Sequence, residues 1–205
     1  MDGWIPENKV LSYASATTFT VSGDLTAQYQ KGTRLKFTQT TVKYFVVIGS
    51  SFSSGTTTIT VTGGDDYSLA NASIVEPFYS YQASPQGYPT WFNYTPTYSA
   101  DGSMTFTGVT THIAKFRIIG KECVVILAAT GTLGGSNSYG VLVTYPITPD
   151  NNSNQYGGGA QIIDGLSVAG IYYVGSSSFN FARYDANTWS LGASREIHAT
   201  ITYGI

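Results

Sequence analysis

The chain has 205 residues, with 10 Lys+Arg against 12 Asp+Glu and two histidines. Only 11% of it is charged, where an average globular protein has about 25%. A formal charge of −2 offers no basic stripe for phosphates, which excludes nucleic acid as the main partner.

The longest apolar run, near Val124–Ala129, is far short of the ~20 residues that span a bilayer, so membrane insertion is not expected. A content of 42% hydrophobic and 14% aromatic residues is enough to build a core. Polarity comes from Ser, Thr, Asn, Gln, Gly and Tyr, as in proteins that work outside cells or on virus particles. The single cysteine, Cys123, excludes an internal disulfide framework and a Cys-rich metal site. Its setting, Cys123-Val124-Val125-Ile126-Leu127, reads as that of a small buried hydrophobe. The segment Met1–Pro6 lacks a basic stretch followed by an apolar one, so no signal peptide is expected. An extracellular-looking surface without an export signal points to release by lysis or assembly in a cytoplasm.

Period-2 alternation runs through the chain, and helical periodicity is nearly absent. In the first half, Thr17–Val21, Arg34–Thr38, Val42–Ile48 and Thr58–Thr62 read as strands, separated by Lys31-Gly32, Gly49–Gly55 and Gly63–Asp66. Val42, Tyr44, Val46 and Ile48 share one face of their run, with Lys43 and Phe45 on the other. Such short strands predict a small closed or nearly closed barrel over residues 1–76. Residues 77–97 change character: Pro77, Pro85, Pro89 and Pro96 alternate with Tyr79, Tyr81, Tyr88, Trp91, Phe92 and Tyr94. Proline keeps this stretch extended and out of central strands, and its aromatics make it a packed joint or an aromatic platform for sugars. Residues 98–205 resume with strands at Ser103–Val109, His112–Ile119, Cys123–Ala129, Val141–Ile147, Ala160–Asp164, Leu166–Val174, Ser178–Tyr184 and Glu196–Tyr203. Gly131–Gly140 and Asp150–Gly159 read as loops. The predicted fold is therefore all-β: a small N-terminal β-barrel, a joint, and a jelly-roll-like antiparallel β-sandwich.

Gly3-Trp4-Ile5-Pro6, Tyr13–Val21, Leu35–Phe45, Tyr67–Ala72 and Ser84–Pro89 together resemble a docking module of phage and prophage virion proteins. Phe116–Lys121, Thr130-Gly131-Thr132, Tyr145-Pro146-Ile147 and Ile197–Tyr203 resemble the β-sandwich tip domains of phage appendage proteins. The resemblance implies a virion location, with the N-terminal barrel docked on another virion protein. It also implies a homotrimeric tip, like those of the tumour-necrosis-factor and C1q family, that contacts a host surface glycan.

Catalytic signatures are missing. His112 and His198 each lie in an alternating β run, and no Gly-x-Ser-x-Gly elbow or paired-His ligand spacing occurs. The adjacent carboxylates Asp65-Asp66 follow Gly63-Gly64 and read as a turn. Gly157-Gly158-Gly159 lacks the Lys-Ser/Thr of a phosphate loop. Asp150–Gln155 offers many oxygens for calcium but one carboxylate, so it reads as a hydrated loop. Asn71, Asn93 and Asn151 stand in N-x-Ser/Thr sequences, which so polar a chain contains by chance. No catalytic residue, metal or cofactor is expected.

The best constellation for a ligand is Arg183, Tyr184, Asp185, Asn187 and Trp189. An aromatic face with amide, carboxylate and guanidinium groups suits a sugar ring. The competing reading has Trp189 closing the end of the sandwich and Asp185 making an Asx turn. The expected function is a non-enzymatic virion protein of tail-fibre or receptor-binding type. A capsid decoration or head-fibre protein is the alternative, and a free bacterial carbohydrate-binding module a more distant one.

Overall fold

The computed structural model describes residues 2–150, 155–163, 167–175 and 177–205. The Asn151–Asn154 part of the candidate calcium loop, Asn151 of the N-x-Ser sequence, and Asp164 and Leu166 of the predicted strand ends lie outside the described residues. The protein is all-β, with sixteen strands and no helix among the described residues. Two compact units form, 1–92 with 118–121, and 93–117 with 122–205.

The first unit contains β1 (Ile5–Pro6), β2 (Leu11–Ser15), β3 (Thr18–Ser22), β4 (Arg34–Gln39), β5 (Thr41–Ser53), β6 (Thr56–Thr62) and β7 (Val75–Ser80). They make one antiparallel sheet in the order β1-β7-β4-β5-β6-β3-β2. Its core face is assembled from cross-strand apolar pairs: Leu11 opposite Val21, Phe19 opposite Ile59, Leu35 opposite Phe45, and Val47 opposite Val61. Side chains two apart share a face, so each such pair commits both strands to the core. On β5 this face belongs to Phe45 and Val47, while Val42 is 48% exposed. The alternation along β5 is the expected one. The longer apolar set, Val42/Tyr44/Val46/Ile48, is the one that faces away from the core.

That outer face carries a second layer. Tyr44 meets Trp4 and Tyr88 at ring separations of 6.3 and 6.0 Å. The Lys36 ammonium lies 4.8 Å from the Trp4 ring and 4.4 Å from that of Phe78. The Tyr88 hydroxyl donates to the Phe45 carbonyl at 3.2 Å.

The stretch predicted as a joint is thus largely part of the first unit. Val75–Ser80 is a strand between β1 and β4, not an edge. Pro77 is tolerated there because the register with β4 shifts between Lys36 and Thr38. Glu76 takes a φ of 49° at this bulge, which removes the need for a ladder donor at Pro77. Phe92 is 2% exposed and meets Tyr67 and Tyr88 edge-on. Tyr94 belongs to the second unit and packs on Phe116.

The second unit holds β8 (Phe92–Asn93), shared at the boundary, and β9 (Tyr98–Ala100), β10 (Met104–Ile119), whose last residues Ile118 and Ile119 belong to the first unit, β11 (Glu122–Gly135), β12 (Gly140–Val143), β13 (Gln155–Ile163), β14 (Ser167–Val174), β15 (Phe179–Arg183) and β16 (Gly192–Gly204). Their order is β8-β10-β11-β16-β13-β14-β15-β12-β9, antiparallel where paired. The sheet folds over on itself as a sandwich. Phe179 of β15 meets Tyr203 of β16 at 5.4 Å, and the Tyr98 hydroxyl of β9 reaches Thr111 Oγ1 of β10 at 2.7 Å. The inner face pairs Cys123 with Tyr203, Val125 with Ile201, Leu127 with Ala199 and Ala129 with Ile197, all buried.

Two predicted breaks are bridged. Gly108, at a φ of 59°, lets Met104–Ile119 run on as one strand. β11 continues through Gly131 to Gly135, because a glycine at 131 leaves room for the Phe106 ring and Leu133 is buried beyond it.

Candidate functional site

β15 ends at Arg183, paired with Gly170 of β14, and the chain returns to β16 through residues 184–191. The Tyr184 amide donates to the Ala169 carbonyl at 3.0 Å, and the Ala186 amide to the Arg183 carbonyl at 3.2 Å. Ala186 adopts a φ of 55°, a left-handed conformation that an L-residue takes at a cost. What holds it there is Asp185. Its Oδ1 and Oδ2 accept from Arg183 Nε and Nη2 at 3.0 and 2.7 Å, and Oδ1 also accepts the Asn187 amide at 3.2 Å. Arg183 first, and then Asn187, hold the Asp185 carboxyl well below the usual carboxylate range. This is an Asx turn closed by a bidentate ion pair.

Trp189 does not join the displayed group. Its ring is fully buried, its amide donates to the Ser138 carbonyl at 2.9 Å, and its indole N–H donates to the Phe181 carbonyl at 3.2 Å. No aromatic face of Trp189 is free for a sugar. It is held in the core instead, by the Ser138 and Phe181 carbonyls. Arg183 and Asp185 spend their charged groups on each other. The outward groups that remain are the Tyr184 ring, 74% exposed, and the exposed Asn187. Of the five residues picked from the sequence, the fold brings Arg183, Tyr184, Asp185 and Asn187 into one turn and places Trp189 beneath it.

His112 Nε2 lies 2.8 Å from Thr130 Oγ1 on an exposed strand face. His198 Nε2 lies 2.9 Å from Glu196 Oε2, two residues away. Among the described residues no group of three His, Cys, Asp or Glu side chains gathers to hold a metal. Asp65 and Asp66 sit in the turn that the Tyr67 amide closes onto the Gly63 carbonyl at 3.2 Å. Cys123 is fully buried beside Tyr203, and burial pushes its thiol up to about 12. No helix among the described residues is long and apolar enough to cross a membrane.

Sequence reasoning missed the concave features, because they are made by residues far apart in the chain. In the first unit a groove of about 440 Å³ runs between Asp2–Ile5 and Ser80–Gln82. A smaller cavity of about 180 Å³ lies against Arg34. In the second unit a shallow hollow of about 380 Å³ on the outer sheet face is lined by Ile113, Ile126, Gln161 and His198. The only local signal for any of these was Arg34 itself, at the head of the alternating run Arg34-Leu35-Lys36-Phe37.

No protein-family model matches the chain, and no curated protein or solved structure gives a significant match.

Proposed function

We propose that this chain is a non-enzymatic structural protein of a phage particle, whose first unit docks on another virion protein and whose second unit is displayed to contact a host surface glycan. The observation that carries the binding reading is Tyr184. Its ring stands 74% exposed on a turn fixed by the Arg183–Asp185 pair. A rigid, exposed aromatic ring flanked by an amide offers a stacking face for sugar C–H groups at little conformational cost. The virion reading rests on the sequence resemblance and on a charge-poor, hydroxyl-rich composition. A homotrimer of the second unit would present three such turns, so weak sites would add by avidity.

Glycan-array binding of the full chain tests the display role. Binding that Tyr184→Ala abolishes while leaving the fold intact supports it. Binding unchanged in Tyr184→Ala removes this turn as the contact. Light scattering after gel filtration tests assembly, and a mass of 21.9 kDa at micromolar concentration refutes the trimer. Electron microscopy of particles labelled on this chain separates a tail or fibre position from the alternative, a capsid decoration or head fibre.

A further inference from the structure

Arg34 stands on the outer face of β4, opposite Val46 of β5, and is 4% exposed. A guanidinium withdrawn from water ordinarily has a carboxylate against it, because an unneutralised buried charge is costly. Arg34 has none. Its partners are the carbonyl of Gly32, the carbonyl of Ile118 at 2.7 Å, and the Tyr88 ring at 5.9 Å. Its Nε–H is buried with no acceptor. Carbonyl dipoles and a ring face supply acceptors but no net negative charge. The same side chain borders the cavity of about 180 Å³, whose wall includes Gln30, Lys31, Thr33 and Tyr81 and no acidic residue. At ~30 Å³ per water the cavity has room for several waters, and hence for a carboxylate, sulfate or phosphate group. Of these lining residues, Tyr81 is 59% exposed.

We propose that the cavity beside Arg34 binds a small oxyanion, held by the guanidinium and neutralising the charge that the first unit buries. The ligand is either a free ion or the acid group of an acidic sugar. This site is separate from the Tyr184 turn, and neither reading depends on the other.

Thermal unfolding of the full chain tests it, in sodium chloride, acetate, sulfate, glucuronate and neutral glucose at matched ionic strength. The expected result is a saturable rise in Tm with the oxyanions over chloride, of about 3–6 °C at a tenfold excess over Kd. A larger rise with glucuronate than with acetate assigns the ligand to an acidic sugar, and equal rises assign it to a free ion. Oxyanions that stabilise no more than chloride overturn the proposal, as does an equal rise in a folded Arg34→Gln variant. Should that variant not fold, the wild-type amide shifts decide. Saturable movement at Gly32, Thr33 and Ala83 on adding acetate supports the site, and movement confined to other residues overturns it.

Discussion

The Trp189 indole N–H donates to the Phe181 carbonyl at 3.2 Å, and both rings are fully buried. The turn that displays Tyr184 lies between these two residues in sequence, so its base is anchored in the core at both ends. A large residue beneath a loop fixes the loop by excluding other packings, while the exposed tip contributes little to stability.

Trp189→Ala therefore destabilises the protein by about 3–5 kcal/mol, the usual range for removing a buried large aromatic. Tyr184→Ala, five residues earlier, changes stability by no more than about 0.5 kcal/mol. Urea unfolding of both variants measures the contrast. Comparable losses in the two would show that the turn is not organised as described.

The Asp185 carboxyl titrates below its ordinary value of 3.8. A lowered folded-state value means that the charged form is favoured on folding. The contribution is present above the ordinary value and is lost as pH falls through the lower, folded-state one. Carboxyl-detected NMR titration of Asp185 reads this directly. A midpoint at or above 3.8 would be incompatible with the Arg183 pairing in solution.

The Cys123 thiol, raised from 9.0 to about 12 by burial, stays protonated and inaccessible in the folded state. Labelling by a thiol reagent at pH 8 should proceed no faster than unfolding exposes the site. The linkage has the opposite sense to that of Asp185. The thiol's contribution is intact below 9.0 and is lost as pH rises from there towards about 12. Fast stoichiometric labelling of the native protein would contradict this burial.

Gly131 meets the Phe106 ring so closely that an added Cβ would stand 2.5 Å from its nearest ring atom. Gly131→Ala forces that buried ring to move, at about 1–3 kcal/mol for overpacking. Gly55, around which an added Cβ meets nothing within 4 Å, still carries a φ of 80°, so its alanine variant tests backbone strain alone. Paired Tm measurements separate the two causes. A Gly131→Ala protein as stable as wild type would show that the Phe106 ring has slack that the packing does not suggest.

The all-β class and most strand positions were legible in the order of residues, because alternation is local: successive residues of an extended chain point to opposite sides whatever lies beyond them. So was the Arg183–Asp185–Asn187 turn, whose contacts are made within a few residues. Which side of an alternating strand becomes core was settled by packing between distant segments. On β5 it chose Phe45 and Val47 over the longer apolar set, since the Trp4 and Tyr88 layer covers the other face. Pro77 became central because a bulge at Glu76 relieves it, and Trp189 became core because Ser138 and Phe181 lie around it. The cavity at Arg34 joins the head of β4 to residues some fifty positions later at Tyr81 and Ala83. Burial and enclosure depend on what packs against a residue from elsewhere in the chain, and local alternation carries no information about that.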